Sequence, residues 1–147
     1  MDFFELKGEN GYIRISLVRV NGFPNQTSHF GGYETECEIE IKSQSYFVKG
    51  SIWTTTGEVL QFFKQLENCH ASVSGTADFE NYEHNLKLKV VYSENGQVDL
   101  IGEYQEFFHL HTQLIFEIKS DQSYLSESLV QLKVIVEKYG NSKGVNR

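Results

Sequence analysis

An α+β fold made mainly of antiparallel sheet is what these 147 residues predict. Apolar and polar residues alternate at period two through eight stretches, the pattern of strands with one buried face. Only two stretches switch to the helical period, over 56–67 and 123–139. Turn residues punctuate the strands at short intervals, so neighbours in sequence pair as in a meander. Whether the sheet stays open or curls strongly towards a barrel does not follow from periodicity. With 39% hydrophobic and 14% aromatic residues, the chain can cover one core but not two, so a single domain over 1–140 is expected. The closing GNSKGVNR has nothing to bury, so residues 141–147 are expected to be a flexible tail.

The first two strands, about 3–6 and 11–19, flank Asn10-Gly11, the preferred pair for a type I' turn. That turn would pair Gly8 with Ile13, Leu6 with Ile15 and Phe4 with Leu17. NGFPNQTSHFGG, with the single proline Pro24, reads as one long loop over 21–32. Strands at 34–42 and 46–53 meet through KSQS. A tight connection there sets Glu40 against Phe47, Glu38 against Lys49, Glu36 against Ser51 and Glu34 against Trp53 on the outer side.

Val59, Phe62, Phe63 and Leu66 then stand at i, i+3, i+4 and i+7, with Thr55 and Glu58 spaced as a capping box for the first helix. Strands follow at 70–79, 84–92, 97–104 and 111–119. Between 84–92 and 97–104, a two-residue turn would set Tyr92 against Asp99. A three-residue Glu94-Asn95-Gly96 loop pairs Tyr92 with Val98, Val90 with Leu100 and Leu88 with Gly102, and is the reading taken. The last helix carries Leu125, Leu129, Leu132, Ile135 or Val136, and Tyr139 on one face, with Asp121 or Ser123 to start it and Gly140 to end it.

The stretch most open to a functional reading is ETECEIEI, with Glu34, Glu36, Glu38 and Glu40 on alternate strand positions. Alternate strand side chains stand about 7 Å apart and point outward in parallel, a poor cage for a cation and a poor acid/base pair. Either the comb stays wet or it meets a basic partner, and Phe47, Trp53 and Tyr33 add the aromatic anchors that interfaces use. His109 and His111 could supply two metal ligands but lack a third at a supporting spacing. Cys37 alternates with Ile39 and Ile41 as core filling, and Cys69-His70, read as consecutive strand residues, would point to opposite faces. Neither is placed as a nucleophile beside its base. No nucleotide-binding or hydrolase motif is present, and no catalytic residue, metal or cofactor is assigned.

Formal charge is -7, a field that opposes nucleic acid and anionic membranes and suits a cationic protein. No apolar run reaches the roughly 20 residues of a membrane span, and MDFFELKG lacks the basic start and apolar core of a signal peptide. A cytoplasmic protein with free thiols is the expectation.

Several stretches taken together, ENGYIRISL, TECEIEIKSQSYFVKGSIWTTTGEVLQFFKQLENC, SGTADFENYEHNLKLKV, NGQVDLIGEY and LIFEIKSDQSYLSESLVQLKVIVEKY, resemble the WapI family of bacterial immunity proteins over roughly residues 5 to 139. Gly75-Thr76-Ala77 with Phe79 and Glu83, and Asp121-Gln122-Ser123-Tyr124-Leu125, are the most telling pieces. The resemblance implies a small cytoplasmic antidote without enzymatic activity. It would protect the producing cell from the C-terminal domain of a secreted wall-associated toxin, often an RNA-degrading nuclease. Family members tend to carry a tryptophan before the comb strand, where this chain has Gly32-Tyr33; if that tryptophan takes part in recognition, this chain either uses Tyr33 and Trp53 or recognises a different partner. A small-ligand-binding or enzyme-like domain, using a cavity of the curved sheet near His109 and His111, is the alternative.

Overall fold

The computed structural model describes residues 1–145. Eight strands and two helices follow one another as β1 (Phe3–Gly8), β2 (Gly11–Val20), β3 (Glu34–Ser43), β4 (Tyr46–Thr55), α1 (Thr56–Ser72), β5 (Gly75–Glu80), β6 (Leu86–Tyr92), β7 (Gln97–Tyr104), β8 (Leu114–Asp121) and α2 (Gln122–Tyr139). They make two separate four-stranded antiparallel sheets, ordered β1-β2-β3-β4 and β5-β6-β7-β8. Each meander runs straight into a helix, so the topology repeats although the sequence does not. Thr55, the last residue of β4, caps α1 through the expected box with Glu58, and Asp121, the last of β8, caps α2 by accepting from the Ser123 and Tyr124 amides. No connecting loop intervenes at either joint.

One hydrophobic cluster draws on both sheets and both helices. At its centre Phe62 of α1 lies 6.1 Å from Phe4 of β1 and 5.7 Å from Phe79 of β5, ring centre to ring centre. α2 closes the outer edge of β1, where the Ser128 hydroxyl donates to the Glu5 carbonyl at 2.5 Å and the Glu5 amide donates to Gln131 Oε1 at 2.8 Å. Further along that edge the Glu9 amide donates to the Lys119 carbonyl at 2.9 Å and the Ser120 hydroxyl to that of Lys7 at 2.6 Å, joining the sheets. The edge groups of β1 are thus answered by side chains and by β8, as an exposed strand edge requires.

Two of the three expected registers are displaced. β1 pairs with β2 as Gly8↔Gly11, Leu6↔Ile13 and Phe4↔Ile15, a slip of two residues. The turn residues are Glu9 and Asn10, neither at positive φ, so the turn is not type I'. Tertiary bonds fix it: the Glu9 amide reaches β8, and the Asn10 carbonyl accepts from the Gln44 amide at 2.8 Å. β3 pairs with β4 as Ser43↔Tyr46, Ile41↔Val48 and Cys37↔Ile52, again two residues from expectation. Gln44 closes that turn at φ 58, a left-handed conformation taken without a glycine. A slip of two keeps every side chain on its face, so the buried sets are unchanged. The Glu94–Gly96 loop pairs Tyr92 with Val98, Val90 with Leu100 and Leu88 with Gly102 as expected, with Asn95 and Gly96 both at positive φ.

α1 runs five residues beyond its expected end and takes in Cys69 and His70, which had been expected in a strand starting at 70. Cys69 lies one turn on from Leu66 and extends the buried face, and Val73 in the left-handed region ends the helix. The described part of the segment after Gly140 returns to the 21–33 loop. Asn141 bridges to Gly144, the Ser142 carbonyl accepts from the Gly32 amide at 2.7 Å, and the Val145 amide donates to the Tyr33 hydroxyl at 3.0 Å. Asn146 and Arg147 lie outside the described residues.

Candidate functional site

The four comb glutamates project from the outer face of the first sheet, between β2 and β4. Across β4, Glu40 now faces Lys49, Glu38 faces Ser51, Glu36 faces Trp53 and Glu34 faces Thr55, while Phe47 faces Lys42. Across β2, Glu40 faces Arg14, Glu38 faces Ser16 and Glu36 faces Arg19. The last pairing depends on a bulge between Leu17 and Arg19. Val18 is the extra residue there, and with it in place Arg19 turns to the outer face.

Each carboxylate has a partner. Arg19 Nη2 lies 3.0 Å from Glu36, Lys49 Nζ 3.7 Å from Glu38 and Arg14 Nη1 3.6 Å from Glu40. Glu34 instead accepts from the Tyr82 hydroxyl at 2.8 Å. Burial, and after it the bond to Glu34, hold the Tyr82 phenol protonated well above its ordinary range. Arg14 also donates through Nε to Glu5 at 2.6 Å. Glu5 is a buried carboxylate, 5% exposed, and Lys7 stands 3.3 Å from it on the other side. The face is therefore a lattice of interleaved charges rather than an uncompensated acidic stripe. Exposed pairs of this kind contribute under about 1 kcal/mol each, so their main effect is on the pattern of the surface, not on stability.

The three aromatics expected beside the comb separate. Phe47 is 56% exposed. Trp53 is half-buried, and its carbonyl accepts from Asn81 Nδ2 at 2.9 Å. Tyr33 is fully buried, which corrects its place among exposed contact residues. Its hydroxyl donates to the Pro24 carbonyl at 2.8 Å and its ring packs edge-on against Phe23 and Tyr139. It pins the 21–33 loop and the C-terminal segment to the core. That loop also crosses close to the start of α1, where a Cβ on Gly32 would fall 2.3 Å from the Gly57 nitrogen, and φ there is +75°. Only glycine fits both conditions.

His109 and His111 lie in the exposed 105–113 loop before β8 rather than on a strand. Among the described residues no three His, Cys, Asp or Glu side chains come together as ligands. Burial, and secondarily Glu36, push the Cys37 thiol up to about 12, and burial also raises that of Cys69. Both therefore disfavour the thiolate that nucleophilic chemistry requires. His70 on α1 has its Nδ1 2.8 Å from the Tyr92 hydroxyl.

A second surface feature was missed in the sequence. Phe107, Phe108 and Leu110 are 52%, 58% and 47% exposed on the 105–113 loop, and Tyr46 and Phe47 are exposed at the start of β4. Between loop and strand runs an open groove of about 410 Å³, walled by Val48, Tyr104, Phe107, Leu110 and Leu114, with Glu106 among its lining residues. The signal was the run FFHL in a stretch with no strand or helix period, where large apolar residues serve no core.

Among the described residues no helix is long and apolar enough to cross a membrane. Comparison with curated proteins gives no match. Comparison with family models matches residues 4–140 to the immunity protein WapI-like family. That span takes in both meanders and both helices, and the chain belongs to that family.

Proposed function

We propose that this chain is a non-enzymatic cytoplasmic antidote that binds the C-terminal domain of a cognate toxin, an RNA-degrading nuclease, and neutralises it by occlusion. The observation that carries the reading is the family match over residues 4–140. The formal charge of -7 supports it, because a nuclease presents a cationic phosphate-binding cleft and opposite fields steer encounter. The thiols, held protonated by burial, are consistent with a protein that works by binding.

The proposed contact surface is the outer face carrying Glu34, Glu36, Glu38 and Glu40, with Phe47 and Trp53. On it, cations of the partner compete with Arg19 and Lys49 for carboxylates that are already presented at strand spacing. The test is co-expression with the C-terminal domain of a candidate cognate toxin, followed by purification and binding kinetics as a function of salt. The expected result is protection from growth arrest, a stable complex, and an association rate that falls steeply as salt screens the steering field. Association rates indifferent to combined Glu36→Lys and Glu38→Lys substitutions would remove the comb from the interface. Absence of both protection and complex would overturn the antidote reading itself.

A further inference from the structure

β4 is an edge strand of the first sheet, since among the described residues nothing pairs with it beyond β3. In an antiparallel ladder alternate residues turn their amide and carbonyl away from the neighbouring strand. The side-chain bonds on β4 show which ones: the Ser51 carbonyl accepts from the Tyr104 hydroxyl at 3.0 Å and the Trp53 carbonyl from Asn81. The odd-numbered residues therefore face outward, and the register is unbroken back to the turn. Ser51 and Trp53 are covered in this way, whereas Phe47 and Lys49, on the same parity, have no such cover among the described residues. Natural edges are short, charged or masked. Here one half of the edge is masked and the other is open, flanked by Tyr46 at 66% exposure and Phe47 at 56%.

The open half borders the groove. Val48, on the inner face of β4, is one wall, and Phe107, Leu110 and Leu114 are the others. Glu106 stands at the Gly50 end, where a Cβ on Gly50 would lie 3.1 Å from its Oε2, and its carboxylate makes no ion pair among the described residues. An apolar trough with one unpaired carboxylate beside unmet backbone donors and acceptors fits one kind of occupant. It is an extended peptide segment that adds a strand to the sheet, places an apolar side chain in the trough and sets a lysine or arginine against Glu106.

We propose that the β4 edge at Phe47–Lys49, with this groove, is the main docking point for an extended, apolar-and-cationic segment of the toxin. This rests on the antidote reading and names where and how the partner is held. Charge favours a cationic partner over a second copy of this chain, because each copy carries a formal charge of -7.

The test uses the full chain and the catalytically inactivated C-terminal domain of the toxin from which it protects. Phe47→Pro removes an outward amide that the fold does not use, and proline is tolerated on a strand edge. Leu110→Glu puts a charge on the groove wall in an exposed loop. Ile115→Asp, at a 72% exposed site on the other sheet, is the control. Thermal unfolding confirms that each variant folds. The expected result is that Phe47→Pro and Leu110→Glu each weaken binding about tenfold or more while Ile115→Asp does not. In the wild-type complex, exchange of the Lys49 amide slows. Toxin binding by wild type, with both folded variants binding within about twofold of it, overturns this inference and leaves the antidote reading standing. No binding by wild type overturns both. A wild-type dimer that Phe47→Pro dissociates assigns the edge to a second copy and overturns the toxin assignment.

Discussion

Replacing Phe62 by alanine tests whether the two sheets are one cooperative structure. The side chain is fully buried, and its ring is the only one of the central trio that comes from a helix, touching Phe4 of the first sheet and Phe79 of the second. Truncation of a buried phenylalanine costs about 3–5 kcal/mol through lost transfer energy and the cavity left behind. The tilted contact with Phe4 and the edge contact with Phe79 each add about 0.5–1.5 kcal/mol beyond burial. The cavity has α1 on one side and strands on two others, none free to collapse inward, so the expected loss is no lower than the middle of that range, about 4 kcal/mol. For a chain of this length that corresponds to a fall in Tm of about 8–16 °C. Urea unfolding followed by the fluorescence of the single tryptophan, Trp53, and by far-ultraviolet dichroism gives the value and its cooperativity together. Trp53 lies in the first sheet, whereas the dichroism reports both helices. Coincident transitions that shift together are expected. A loss below about 1.5 kcal/mol, or a tryptophan transition that stays put while the dichroism moves, would refute the shared core.

Two further outcomes follow from the buried polar groups. Burial raises the Glu58 carboxyl above the ordinary carboxylate value despite bonds from Thr54 and Thr55 that oppose the shift. Between its ordinary and folded values the native state holds a proton that the unfolded chain has released, so this group's contribution to stability falls as pH rises through that window. Glu58→Gln keeps an oxygen for the capping box and removes the ionisation. Urea midpoints at about pH 4 and pH 7 should show the variant gaining on wild type at the higher pH, and the opposite order would contradict the sign. For Tyr33→Phe, loss of the hydroxyl removes the bonds it makes to the Pro24 carbonyl and the Val145 amide. A cost of about 1–2 kcal/mol is expected, with faster hydrogen exchange at Val145, and unchanged exchange there would show that the hydroxyl does not hold the segment.

The kinds of element and their faces were legible in the sequence because hydrophobic alternation sets which side of a strand is buried, and that survives a slip of two residues. Register was legible only where the turn is self-sufficient. Glu94-Asn95-Gly96 carries its left-handed residues within itself, and its pairing was read correctly. The turns at Glu9-Asn10 and Gln44-Ser45 hold each other through the Asn10 carbonyl and the Gln44 amide, residues far apart in the chain. No local pattern encodes such a bond. The comb's glutamates were legible as an outward-facing row, and their neutralising partners were not. Arg14 and Arg19 reach them from β2, which is joined to β3 by the 21–33 loop and set in place by a bulge, so neither turn chemistry nor spacing reveals the match. Tyr33 was misread because position before a strand says nothing about depth. What buries it is the return of the C-terminal segment and Tyr139 from the far end of the chain.

The direct passage from β4 into α1, with Thr55 both ending the strand and capping the helix, has a thermodynamic consequence for recognition. An edge strand tethered by a slack loop would have to be ordered by its partner, at roughly 1–2 kcal/mol of backbone entropy for each residue fixed. Here the far end of the strand is clamped by a helix whose opposite face lies in the core. A visiting peptide therefore meets a template already in its final shape and bears only its own ordering cost.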